Sequence, residues 1–139
     1  MYIRTREDIL SQPFTLPPKW KQAILDIIFR YVPPERCLVF LFGSFARGEA
    51  TGSADIDVGL WCDPPLSPAD RARLYLDLLE DVPFLRPVDL VDFREVHDPE
   101  FLERVLKEAQ LWHLGSACKN VLPDSVRRWL ASEKSFKNP

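Results

Sequence analysis

Cysteine is scarce in this 139-residue chain: Cys37, Cys62 and Cys118 are odd in number and widely separated, with no Cys-x-x-Cys pair. That count argues against a disulfide framework and against a structural zinc site, and leaves buried thiols in a reducing compartment. Histidine is scarcer still. With only His97 and His113 present, no Ser-His-Asp constellation is suggested. No apolar run approaches the ~18–20 residues that span a bilayer. The opening Met1-Tyr2-Ile3-Arg4-Thr5-Arg6-Glu7-Asp8 lacks the apolar core of a signal peptide, so a cytoplasmic chain without a membrane partner is expected. A basic excess is missing too. Eighteen Lys and Arg against 21 Asp and Glu leave a net charge of −3. That is not the balance of a protein built to hold polynucleotide phosphates, and no direct nucleic-acid partner is expected.

Glycine is also rare, and its placement is informative. Of the five, Gly43, Gly48, Gly52 and Gly59 fall within one stretch, while no proline lies between Pro34 and Pro64. The main chain is therefore expected to do something unusual between residues 43 and 59.

Around that stretch the apolar pattern spells a small α/β domain. Trp20, Ala23, Ile24, Ile27, Ile28 and Tyr31 have helical spacing, opened by Pro17-Pro18 and closed by Pro33-Pro34. Cys37–Phe42 is a continuous apolar run of strand length, which suggests burial on both faces. A second strand is predicted over Ile56–Trp61 and a third over Val88–Phe93. Ser67 is predicted to cap a helix whose buried stripe is Leu74, Leu78, Leu79 and Val82. Asp98-Pro99 starts another helix, with Phe101, Leu102, Val105, Leu106 and Ala109 on one face. Asp124 is predicted to cap a short last helix bearing Val126, Trp129 and Leu130. The expected organisation is a lead-in over 1–16, one domain over 17–115 around a sheet of three to four strands, and a C-terminal helix and tail over 116–139.

The chemistry is concentrated in residues 43–58. Asp55 and Asp57 at a strand start point to one face, and two carboxylates so placed suit Mg²⁺ or Mn²⁺ rather than zinc. Alone, the pair is a weak signal and reads first as a solvent-facing strand start. The combination is stronger: a buried strand ending in Gly43-Ser44, a glycine-rich loop of ten residues, then Asp55-Ile56-Asp57. The loop's N–H groups, with a helical turn starting at Ser44, are expected to form an anion-binding nest, and Ser44 can add its hydroxyl. A phosphate site beside a divalent-cation site is what phosphoryl or nucleotidyl transfer requires. For a third carboxylate the third strand offers Asp89 and Asp92, which have opposite parity. Asp89 sits inside an apolar run, where an unpaired carboxylate is costly and implies a compensating partner, and is chosen on that ground. A Walker loop is ruled out because Glu49-Ala50 stands where Lys-Ser/Thr is required.

These residues resemble a known family. Gly43-Ser44, ten residues, Asp55-Ile56-Asp57, with Arg47-Gly48 inside and Val88-Asp89-Leu90-Val91 about thirty residues later, are similar to the minimal nucleotidyltransferase (MNT) domains of the polymerase-β-like superfamily. The resemblance implies a short mixed sheet with helices packed on one side. It implies transfer of a nucleoside monophosphate from an NTP such as ATP, with two Mg²⁺ ions and release of pyrophosphate. By the same resemblance Asp55, Asp57 and Asp89 bind the metals, with Asp89 also the general base. Gly43 and Ser44 hold the phosphates, and Arg47 lies near phosphates or acceptor, a solvated loop arginine being its other reading. The family has Ser-Asp-Ile-Asp where this chain has Ala54-Asp55-Ile56-Asp57, and the serine has moved to Ser53 as a nucleotide-binding candidate.

Stand-alone MNT proteins resemble antitoxins paired with a HEPN-domain ribonuclease toxin. The implied activity is transfer of AMP to a toxin tyrosine, in a hetero-oligomer with the toxin or as a homodimer. Two alternatives stand beside it: an antitoxin that neutralises by binding alone, and an aminoglycoside-type small-molecule transferase. Trp112, Trp129, Phe136 and Phe14 could dock a partner or pack the terminal segments onto the sheet.

Overall fold

A computed structural model describes residues 14–132. Residues 1–13 of the lead-in and the tail containing Phe136 lie outside the described residues. The elements are α1 (Pro18–Ile28), β1 (Cys37–Phe42), α2 (Gly43–Arg47), β2 (Ile56–Cys62), α3 (Pro68–Glu80), β3 (Val88–Asp92), α4 (Pro99–Glu108), β4 (Gln110–Leu114) and α5 (Asp124–Ala131). The four strands lie in the order β3-β2-β1-β4. β1 pairs antiparallel with β2 and β4, and β2 pairs parallel with β3 through the α3 crossover. The fold class is the expected mixed α/β. Among the described residues no helix is long and apolar enough to cross a membrane.

The reason for the central place of β1 is that all six of its residues are buried. Cys37, Val39 and Leu41 face one core with Ile24 and Ile28 of α1 and Leu74 and Leu78 of α3. Leu38, Phe40 and Phe42 face a second core with Val105 and Leu106 of α4 and Val126 and Trp129 of α5. Helices therefore cover both faces of the sheet rather than one, because a strand apolar at every position needs cover on each side. Phe40 lies across the strand from Gly59, and its ring fills the space a β-carbon at 59 would need. The three cysteines are free and buried, and burial pushes the Cys37 thiol up to about 12.

Local signals act as read for α1, α3 and α4. Pro18 opens α1, the Ser67 hydroxyl accepts from the Asp70 N–H at 3.1 Å, and Asp98 accepts from the N–H groups of Glu100 and Phe101. β4 brings the sheet to four strands, within the expected three to four, over a stretch to which the pattern assigned no element. Two further expectations are corrected. Asp124 does not cap α5; Pro123 holds the N-cap and Asp124 pairs with Arg127 at 2.6 Å. Leu79 is exposed rather than part of the α3 core stripe. Trp129 packs in the second core, Trp112 is partly buried against the first, and Phe14 stacks on Trp20.

Candidate active site

The strand register puts Phe42, Asp57 and Asp89 in one row across β1, β2 and β3. β2 and β3 run parallel, so Asp57 and its partner Asp89 project to the same face. Val58 and Leu90 pack into the α1/α3 core, which leaves the two aspartates on the α4 side. Asp55 stands just before β2 and is exposed. Asp57 is half-buried, and its carboxyl is raised to about 6, first by burial and then by the charges of Asp89 and Asp55, with Arg47 opposing. The three carboxylates thus share one electrostatic field.

Asp89 itself is exposed, not buried in an apolar strand. β3 is an edge strand, and the cost inferred from its apolar neighbours does not arise. The choice of Asp89 over Asp92 rests instead on parity. Asp92 faces the opposite side, lies 3.4 Å from the Arg71 guanidinium, and accepts from the Arg94 N–H.

Gly43 starts α2 with φ +72°, a left-handed conformation that favours glycine. A β-carbon there would fall onto Oδ2 of Asp57. Glycine therefore lets the strand end and the carboxylate lie side by side. α2 has no side-chain cap, so the N–H groups of its first turn remain available to water or a ligand. A cleft of about 400 Å³ opens here, lined by Gly43, Ser44, Arg47, Asp57, Arg104 and Glu108 among others. Arg47 donates to Glu49 and Glu108, both at 2.8 Å. Arg104 lines the same cleft and has no ion pair or hydrogen bond among the described residues. Ser53 is not brought into this cleft. It is exposed and lines a separate depression with Gly52, Arg86 and Pro87.

Among the described residues no three acidic, histidine or cysteine side chains form a ready-made metal cage. The site nonetheless fits a divalent cation held partly by a ligand. The donors are oxygen only, three negative charges act on one another, and the glycine leaves the neighbouring space open.

The family model for "Polymerase beta, Nucleotidyltransferase" matches residues 25–113. The chain belongs to this nucleotidyltransferase family. Among solved structures, this nucleotidyltransferase domain is similar to a toxin–antitoxin complex with AMP-PNP, with TM-score 0.57 and 23% identity over 84% of this chain and 93% of that one. It is similar to the structure of a tri-AMPylated Shewanella oneidensis HEPN toxin in complex with MNT antitoxin, with TM-score 0.51 and 22% identity over 84% and 90% of the two chains. A minimal nucleotidyltransferase structure shares 32% identity over 64% of this chain and 85% of that one, with TM-score 0.50. No curated protein matches the chain.

Three residues of this nucleotidyltransferase escaped the sequence reading. Arg104 and Glu108 reach the cleft from α4, sixty residues away in the chain, and no local motif announces them. Arg86 donates to the carbonyls of Thr51 (2.8 Å) and Ala54 (2.9 Å) and lies over the Phe14 and Phe45 rings. It pins the backbone that presents Asp55 through the carbonyl of the preceding Ala54.

Proposed function

We propose that this chain transfers AMP from ATP to a hydroxyl, expected to be a tyrosine, of a HEPN-domain toxin in the cytoplasm, and so acts as its antitoxin. The observation that carries this is the pairing of Asp57 with Asp89, with Asp55 beside them, against the open backbone at Gly43-Ser44. Asp55, Asp57 and Asp89 would hold two Mg²⁺ ions, for which Mn²⁺ can substitute. Bound there, the ions neutralise phosphate charge and polarise the reacting oxygens. Gly43 and Ser44 donate to the β/γ-phosphates. The acceptor oxygen bonds to the α-phosphorus as the α–β bridging bond breaks, pyrophosphate leaves, and Asp89 takes the hydroxyl proton. The AMPylated toxin bound to an MNT antitoxin and the AMP-PNP complex, both in proteins of this fold, support the choice of nucleotide and partner. A second reading, neutralisation by binding alone, is favoured by Ala54, which removes a hydroxyl beside the carboxylates.

Intact-mass spectrometry of a HEPN-domain toxin, incubated with the chain, ATP and Mg²⁺, separates the two readings. Addition of one or more AMP units is expected, and an unchanged mass would leave binding alone.

The two cleft arginines carry different roles in this reading. Arg47 already holds two carboxylates and ties α4 to α2, whereas Arg104 has its charge to give to phosphate. A charged hydrogen bond contributes about 1.5–3 kcal/mol, so Arg104→Ala is expected to weaken ATP and ADP binding about 10- to 100-fold in titration calorimetry. AMP binding should change little. Equal losses for all three nucleotides would contradict the assignment.

A further inference from the structure

Asp55 is the one candidate metal carboxylate that stands on a loop, whereas Asp57 and Asp89 stand on strands. Its backbone is nonetheless held on both sides. The Ala54 carbonyl, in the peptide unit before it, accepts from Nη1 of Arg86 at 2.9 Å. The Ile56 N–H, in the peptide unit after it, donates to the Pro87 carbonyl at 2.9 Å. Each peptide unit is planar, so the two bonds fix the planes on either side of the Asp55 Cα. Arg86 and Pro87 are consecutive, and Asp89 follows two residues later on β3. Nη1 of Arg86 also donates to the Thr51 carbonyl at 2.8 Å, which accepts from the Ala54 N–H at 3.1 Å as well and so closes the turn Thr51-Gly52-Ser53-Ala54.

We infer that Arg86 is a positioning residue for the metal site: it fixes the loop bearing Asp55 against the start of β3 and so sets the spacing of the Asp55 and Asp89 carboxylates. The inference rests on the metal-dependent transfer reading and adds to it a residue that touches neither metal nor substrate. Mg²⁺ demands near-octahedral oxygen ligands at about 2.0–2.1 Å, so a carboxylate on a wandering loop is a poor ligand. Contacts that orient a metal's ligands typically contribute about 10- to 100-fold in affinity.

The guanidinium is itself held in place. It lies 4.6 Å from the Phe14 ring centroid and 5.3 Å from that of Phe45, and both rings attract a cation. The Phe14 N–H donates to the Ala50 carbonyl at 2.7 Å, which ties the first ring to the same loop. Phe45 belongs to α2, which begins at Gly43 and Ser44. One side chain thus joins the helix of the phosphate cradle, the loop of Asp55 and the entry to β3. Fold stability alone accounts poorly for it. The Nε of Arg86 is buried without a hydrogen-bond partner among the described residues. An apolar side chain on the same rings would avoid that desolvation, but it could not hold the Thr51 and Ala54 carbonyls.

The test titrates Mn²⁺ into the full chain saturated with AMP-PNP. Water-proton relaxation enhancement reads the protein-bound Mn²⁺ apart from Mn²⁺ on free nucleotide, so neither acceptor nor transfer is needed. Arg86→Met keeps an apolar stem on the Phe14 and Phe45 rings and removes the donors. Arg86→Lys keeps the charge without the planar fork. Arg127→Ala, which breaks only the pair with Asp124 on α5, is the control. Thermal melts confirm folding. Arg86→Met should weaken Mn²⁺ binding about 10- to 100-fold and Arg86→Lys about 3- to 10-fold, with Arg127→Ala at the wild-type value. With a HEPN-domain toxin as acceptor, the Mg²⁺ needed for half-maximal transfer should rise in the same proportion. The rate should recover at saturating Mg²⁺, which a loss of folded protein would not allow. Wild-type Mn²⁺ affinity in either folded Arg86 variant, or an equal loss in Arg127→Ala, would overturn the positioning role and leave the transfer reading standing. The expected Mn²⁺ losses without AMP transfer by the wild type would keep the positioning role and reject the transfer reading. Absence of Mn²⁺ binding by the wild type would reject both.

Discussion

Asp57→Asn is expected to abolish AMP transfer and yet to make the metal-free chain more stable. The two effects share one cause. Asp57 is raised from 3.8 to about 6 by burial and by Asp89 and Asp55, so its charge is unfavourable in the folded state when no cation is bound. The sign follows by linkage. A carboxyl whose folded pKa is raised contributes its full stability below the unfolded value of 3.8 and loses it as pH rises through about 6. At neutral pH the charged aspartate therefore works against the fold, and asparagine removes that penalty. Discounted for the partial solvent exposure of the group, the gain is about 1–2 kcal/mol, or roughly 3–7 °C in melting temperature. It should vanish near pH 3.5. With the catalytic charge gone, a loss of about 4 kcal/mol of transition-state stabilisation lowers the rate ~10³-fold. Adding Mg²⁺ and AMP-PNP should raise the melting temperature of the wild type and not that of the variant. A variant that melts lower than wild type at pH 7 would contradict the assigned strain.

Gly43→Ala is expected to damage both fold and nucleotide binding. Alanine at φ +72° costs about 1–2 kcal/mol by itself. The new β-carbon also displaces Asp57, whose Cβ lies 3.2 Å from the position it would occupy and whose Oδ2 overlaps it. A combined cost of about 2–3 kcal/mol lowers the melting temperature by roughly 7–10 °C. Because Asp57 must rotate away, ATP binding should fall further than the stability loss alone explains. In an Asp57→Ala background the carboxylate overlap is gone and Gly43→Ala should cost only its backbone strain, so the double-mutant cycle should show coupling. Additive losses would mean that the two residues do not meet.

Much of this site is legible in the sequence because it is built from short-range signals. A strand buried on both faces, a glycine where the backbone turns left-handed, and two aspartates at one strand start all lie within twenty-one residues, from Cys37 to Asp57. Strand parity separates Asp89 from Asp92, and the register with Asp57 is what places Asp89 on the side of the other carboxylates. What parity cannot supply is the position of β3 in the sheet. Val88-Asp89-Leu90-Val91 reads as buried, but at an edge the aspartate meets solvent. β4 is missed for a related reason. Gln110–Leu114 follows α4 with only Ala109 between, and every residue is intermediate in burial, so neither a turn nor an alternation marks it.

The long-range features are silent for a different reason. Arg86 and Glu108 act through contacts that exist only after the chain has folded, as in the Arg47–Glu108 pair that joins α2 to α4, and Arg104 reaches the cleft only once α4 is packed there. Leu79 continues the helical stripe of Leu74 and Leu78, yet it is exposed instead of packed in the core. Hydrophobic periodicity alone does not distinguish the two positions.

The most direct measurement is anomalous diffraction at the manganese edge from crystals of the chain grown with Mn²⁺ and AMP-PNP. Two manganese peaks are expected, coordinated by Asp55 and Asp57 at about 2.1 Å, with Asp89 on one of them and the triphosphate lying over Gly43 and Ser44. A nucleotide bound without metal at these carboxylates, or manganese bound with Asp89 turned to solvent, would contradict the account.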